Sequence, residues 1–281
     1  MAKKNVNYNE VFVSGEVLDI LAAERVKEGT PQEAIKFKLN VAISQDKNEI
    51  VDYYGSIYTS AGGVNKISQG LETVVNDIVT RAEEGRGEIV RCTCQLDDNT
   101  YYSDGEKHEG FRIQGKFCNR QKDAKLPIKA GILWRAYVYL EEIIKIEEGL
   151  EVIGIINKYN DNGFRVRLVI DNTEVIKEFE KLYKVGDVPQ LEGDIVTEII
   201  EGTGGFGTGK KDKIIKYLRI TGGSGNKISK ENDFGEDGKP NPFYKDNIVA
   251  MIDKMEEKEN AMKEKDAQKN NINIEESDLP F

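Results

Sequence analysis

Apolar and polar residues alternate, in part, along residues 11–20 (VFVSGEVLDI), 35–44 (IKFKLNVAIS) and 50–59 (IVDYYGSIYT), all rich in β-branched and aromatic side chains. A period near two in such segments predicts three strands. Gly, Pro and charged clusters separate them. The period then lengthens: Ile67, Leu71, Val74, Val75, Ile78 and Val79 recur at helical spacing, and Gly85 and Gly87 close the predicted helix. Strands resume at 88–95 and 111–117, joined by a polar loop. Residues 134–146 (WRAYVYLEEIIKI) read as a further strand.

Three strands, a helix and two strands are the order of an OB-fold, a small Greek-key barrel with a helix between its third and fourth strands. A second round follows, with strands at 150–159 and 164–170 and an amphipathic helix at 174–182, where Val175, Ile176, Phe179 and Leu182 share one side. Strands at 191–201 and 213–221 come next. This round shows four clear strands, and 134–146 supplies a fifth. The expected fold class is therefore mainly β, with five-stranded OB barrels in tandem. The expected division is 1–130 for the first barrel, 131–224 for a second OB-like unit and 225–281 for a flexible charged tail. In the last stretch Lys, Glu, Asp and Asn dominate, and a thin stripe of Ile248, Met251, Ile252, Met255 and Met262 supports at most a marginal helix. The rest predicts disorder, because little apolar surface offsets the ordering entropy.

The net charge of −10 counts against phosphate binding until its distribution is considered. Residues 225–281 hold 9 basic and 14 acidic side chains, half of the excess, so the barrel region is near neutral. Its cations cluster. Residues 112–129 contain Arg112, Lys116, Arg120, Lys122, Lys125 and Lys129 against the single acid Asp123. On a regular strand Arg112, Lys116 and Arg120 would share one face, and Phe111, Ile113 and Phe117 the other. A second cluster, Lys210, Lys211, Lys213, Lys216 and Arg219, opposes only Asp212.

Several patterns exclude other chemistry. Gly204-Gly205-Phe206-Gly207-Thr208-Gly209-Lys210-Lys211 approaches a P-loop, but Lys211 stands where Ser or Thr must hold Mg²⁺, and a strand follows where a helix is needed. Cys92 and Cys94 are two same-face strand residues, and with Cys118 they match neither a disulfide framework nor a zinc knuckle. His108, the only histidine, has no partner for acid–base work. No catalytic constellation emerges, so neither enzyme activity nor a cofactor or metal is expected. No stretch approaches the roughly 20 apolar residues of a membrane span. The basic start without an apolar leader fits a cytoplasmic protein of a bacterial cell.

The chain ends in three acids followed by Leu279, Pro280 and Phe281. An apolar ring beside a terminal carboxylate makes a compact handle for a partner's apolar pocket and cation. This ending, with Asp278 before Leu279-Pro280-Phe281, resembles the acidic tip of bacterial and phage single-stranded DNA-binding proteins. Residues 11–17 (VFVSGEV) and 37–42 (FKLNVA) resemble that family's first two strands, and 202–224 resembles larger, two-part phage versions. The resemblance implies sequence-independent coating of single-stranded DNA in phage or mobile-element replication and recombination. Asp278, Leu279, Pro280 and Phe281 would recruit replication or recombination proteins, and self-association into an oligomer is compatible with it. The aromatic component would come from Tyr53, Tyr54 and Tyr58 in or beside the third strand and from Tyr101 and Tyr102 in the loop after the fourth. Alternation allows only one of Tyr53 and Tyr54 to be core. The cations would be Arg112, Lys116, Arg120 and Lys122. A structural or assembly protein using OB barrels for protein contacts is the competing expectation.

Overall fold

Val11, Val13 and Val17 are wholly buried, as their alternation requires, and they lie on a strand longer than the pattern alone indicates, β1 (Asn9–Val26). The computed structural model describes residues 8–123, 127–158, 162–200, 213–235 and 238–270. β1 is followed by β2 (Ala34–Ala42), β3 (Asn48–Ser56), α1 (Lys66–Asp77), the short α2 (Arg81–Glu84), β4 (Ile89–Asp98), a small hairpin of β5 (Tyr101–Ser103) and β6 (Glu106–His108), and β7 (Phe111–Arg120). The sheet order β1-β2-β3-β7-β4 closes through a β1–β4 pairing, and β3 and β7 run parallel. This is a closed five-stranded OB barrel. Asn65 caps α1 by accepting from the Ile67 amide. Leu71 and Val74 turn into the barrel bottom.

The same order repeats in β8 (Gly131–Ile146), β9 (Gly149–Asn157), β10 (Gly163–Ile170), α3 (Thr173–Leu182), β11 (Pro189–Ile200) and β12 (Lys213–Lys227). Here β8-β9-β10-β12-β11 closes through β11–β8, with β10 and β12 parallel. Residues 134–146 therefore complete the second barrel as its first strand. Trp134 is fully buried, and its indole N–H donates to the Asp194 carbonyl at 2.9 Å.

The equivalent first strands meet: β1 pairs antiparallel with β8 from Asn9↔Ala136 to Ser14↔Gly131. One continuous apolar cluster thus runs from Val11, Phe37 and Leu39 to Trp134, Leu150 and Leu168. A salt bridge from Lys216 on β12 to Glu49 on β3, and another from Lys158 to Asp97 on β4, also join the barrels.

Residues 245–270 form a helix, α4 (Lys245–Asn270), where the sequence supports at most a marginal one. Composition underrated it because a few residues carry its docking. Phe243, Ile248 and Met251 are buried against Tyr137, Ile155 and Val188 on the outside of the second barrel. Gly163 leaves room for Met251, whose sulfur would lie 2.6 Å from a Cβ at that position. The tip residues Asp278, Leu279, Pro280 and Phe281 lie outside the described residues, as do Gly204–Lys211 of the glycine-rich loop.

Candidate nucleic-acid interface

β2, β3 and β7 lie side by side, so their outward side chains form one wall of the first barrel. Tyr54 stands on it half exposed, directly opposite Lys36 of β2. Lys38 faces Asp52 two pairs along and meets its carboxylate at 3.6 Å, while Lys36 reaches Glu24 of β1 at 3.0 Å. Both bridges are solvent-exposed and hold their lysines weakly.

Tyr53 points the other way. It is buried, stacks on Phe37 with ring centroids 4.8 Å apart, and its hydroxyl donates to the Phe117 carbonyl at 3.2 Å. Burial pushes its phenol well above the ordinary value, so it stays neutral. Tyr53 offers no face to a base, and its place in the proposed contact set is corrected to core.

β7 departs from regular alternation. Thr93 pairs with Phe117 and Cys94 with Gly115, which leaves Lys116 as an extra residue without a partner in β4. Such a bulge turns consecutive side chains to one side and shifts the phase of all that follow. Arg112, Lys116 and Phe117 are therefore outward, while Ile113 and Arg120 are inward. Arg120 forms a paired salt bridge with Glu88, its Nε donating at 2.5 Å, and it also donates to the Asp77 carbonyl at 2.9 Å. It cannot reach a phosphate, contrary to the expectation of a shared cationic face with Arg112 and Lys116. The expected apolar face loses Phe117 for the same reason.

Arg112 donates twice to Asp97, at 2.9 and 2.6 Å. Burial would raise the Asp97 carboxyl, but the Lys158 and Arg112 cations hold it below the usual carboxylate range. This pair belongs to the barrel junction as much as to the open wall. Lys116 is exposed and forms no ion pair among the described residues, and the same holds for Lys122 just past the end of β7. Tyr58 is half-buried in the turn after β3, bridged to Val64.

The β5–β6 hairpin carries the remaining two tyrosines. Tyr101 is half exposed and stacks on His108 at 4.8 Å. Tyr102 instead donates to Glu259 of α4 at 3.0 Å, and Lys107 bridges to the same carboxylate at 2.7 Å. Asp266 accepts from the Gly105 amide at 2.8 Å. The hairpin is thus tied to the C-terminal helix rather than free to close over a ligand.

In the second barrel the corresponding wall carries cations already neutralised. Arg165 meets Glu141 at 2.7 Å, Arg167 meets Glu151 at 2.6 Å, and Arg219 meets Asp194 at 2.5 Å. Lys216 is spent on Glu49 and lies over the Phe111 ring at 5.6 Å. Of the second basic cluster, then, Lys216 and Arg219 serve internal pairs, while Lys210, Lys211 and the Lys213 side chain fall outside the described residues. α4 covers the adjoining part of this wall.

A protein-family model described as YorF matches residues 7–265, spanning both barrels and most of α4. The chain belongs to the YorF family. A comparison with curated proteins finds no match. Among solved structures, a deletion mutant of the single-stranded DNA binding protein from Thermus aquaticus is similar at 12% identity and TM-score 0.47, over 79% of this chain and 94% of that one. The wild-type protein of the same organism is similar at 11% identity and TM-score 0.46, over 76% and 90%. The OB assignment rests on strand order and closure in this chain.

Proposed function

We propose that this YorF-family chain binds single-stranded DNA, with little base preference, along the β2–β3–β7 wall of its first barrel. The observation that carries this reading is the exposed Tyr54 ring next to the exposed Lys116, which has no ion-pair partner among the described residues, flanked by Lys36 and Lys38. A π-face that any base can stack on, together with cations that follow the phosphates, is what single-strand binding requires. The neutralised second wall and its covering helix favour the first barrel as the binding unit. The role is non-enzymatic: coating exposed strands during phage or mobile-element replication or recombination, with Asp278-Leu279-Pro280-Phe281 recruiting partners.

Fluorescence titration with oligo(dT) at two salt concentrations tests the reading. Binding should favour single strands over duplex and weaken as salt rises, because bound cations displace condensed counterions. No binding at low salt would transfer support to a structural or assembly role. Deleting residues 277–281 should leave oligo(dT) affinity unchanged or raised while abolishing co-purification of replication proteins. Equal recovery by both forms would remove the recruiting role.

A further inference from the structure

The bulge in β7 creates a surface that regular alternation would have hidden. Phe117 is 48% exposed although it lies on a core strand. Beside it Ile67 of α1 is 49% exposed, and the two border a groove of about 260 Å³ floored by Leu71 and Cys118. Lys116 and Lys66 stand on its rim, both exposed and neither in an ion pair among the described residues. Gly70 on α1 keeps the helix side of the groove low, with open space where a Cβ would be. The groove adjoins the Tyr54 surface, since Tyr53 pairs with Gly115 in the parallel β3–β7 register and the next residues of each strand are Tyr54 and Lys116.

An exposed ring at the mouth of an apolar groove, between two exposed cations, is complementary to a stacked base flanked by phosphates. A neutral peptide would leave the cations unpaired, and an acidic peptide without aromatic side chains would satisfy them but leave the ring without a planar partner. We infer that this groove is a nucleotide subsite, in which a base of single-stranded DNA stacks on Phe117 and its neighbouring phosphates meet Lys116 and Lys66. The bound strand then runs from Tyr54 across the bulge toward α1. The inference rests on the proposed DNA binding and adds a second stacking position to it.

The test uses the full chain and oligo(dT). Trp134, the only tryptophan, is fully buried, so a Phe117→Trp variant places the one solvent-facing indole in the groove. Its emission should be quenched on oligo(dT) addition, while wild-type emission changes little. Phe117→Ala should weaken binding at least about fivefold, Phe117→Tyr should restore it, and Lys66→Ala with Lys116→Ala should flatten the salt dependence. Phe117 is a surface side chain, so unchanged urea unfolding of the variants separates a contact from a packing role. If wild-type protein binds oligo(dT) but the Phe117→Trp emission is unmoved and Phe117→Ala binds equally, the subsite is refuted and the Tyr54 reading stands. If wild-type protein does not bind, both fall.

Discussion

Gly115 and Tyr53 show how single residues set the interface. A Cβ at Gly115 would lie 2.3 Å from the Tyr53 ring, so the absent side chain makes the room that the ring fills. The Tyr53 hydroxyl then holds the Phe117 carbonyl beyond the bulge. Gly115→Ala should cost about 1–3 kcal/mol through overpacking, measured by urea unfolding. Arg120 gives a sharper contrast with its neighbours. Arg120→Ala strands Glu88 and should cost about 3 kcal/mol of stability while leaving the salt slope of oligo(dT) binding unchanged. Lys116→Ala should do the reverse, with little stability loss and a shallower slope. Tyr54→Ala should weaken binding with the slope nearly intact, since stacking releases few ions.

At the scale of elements, α4 is the one whose stability is least its own. A thin apolar stripe meets the second barrel, Lys258, Glu259 and Asp266 bind β4 and the β5–β6 hairpin of the first, and most of the remaining described side chains are solvated. Met251 is fully buried in that contact. Met251→Ala should cost about 2–4 kcal/mol of docking. Hydrogen exchange should then speed through residues 245–266, and through the β5–β6 hairpin that Glu259 and Asp266 hold, while β1–β3 remain protected. Equal protection of the helix in both proteins would show that its charged contacts suffice.

At the scale of the molecule, carboxylates gather where the two barrels and α4 meet. Asp97 is bound by Lys158 and Arg112, Asp98 by Lys258 at 2.5 Å, and Glu259 by Lys107 and Tyr102. Burial raises each carboxyl, but these partners outweigh it and leave all three below their ordinary values. A carboxylate depressed in the folded state contributes stability that is complete above its unfolded value, near pH ~4, and is lost as pH falls through the depressed value. The junction should therefore loosen in acid before the barrel interiors do. Urea unfolding followed by Trp134 emission should show midpoints falling steeply below about pH 4. Asp97→Asn should make that fall shallower while lowering stability at neutral pH.

The order of strands and helices was legible in the sequence because period-two and helical patterns report one-sided burial, which both barrels obey. Val11, Val13, Leu39, Val51, Leu71 and Val74 are core as their spacing indicates. The barrel topology followed from that order, and so did the choice of Tyr54 or Tyr53 as the single outward ring. What alternation cannot encode is a change of phase. The extra residue at Lys116 turned Arg120 inward and Phe117 outward, and only the pairing of β7 with β4 reveals it. Nor does local composition report long-range charge pairing, so Lys216 and Arg219 looked available until the fold placed Glu49 and Asp194 beside them. The helix at 245–270 is the same lesson in packing: its few apolar residues could not outweigh ordering entropy alone, and the outer face of the second barrel supplied the missing surface.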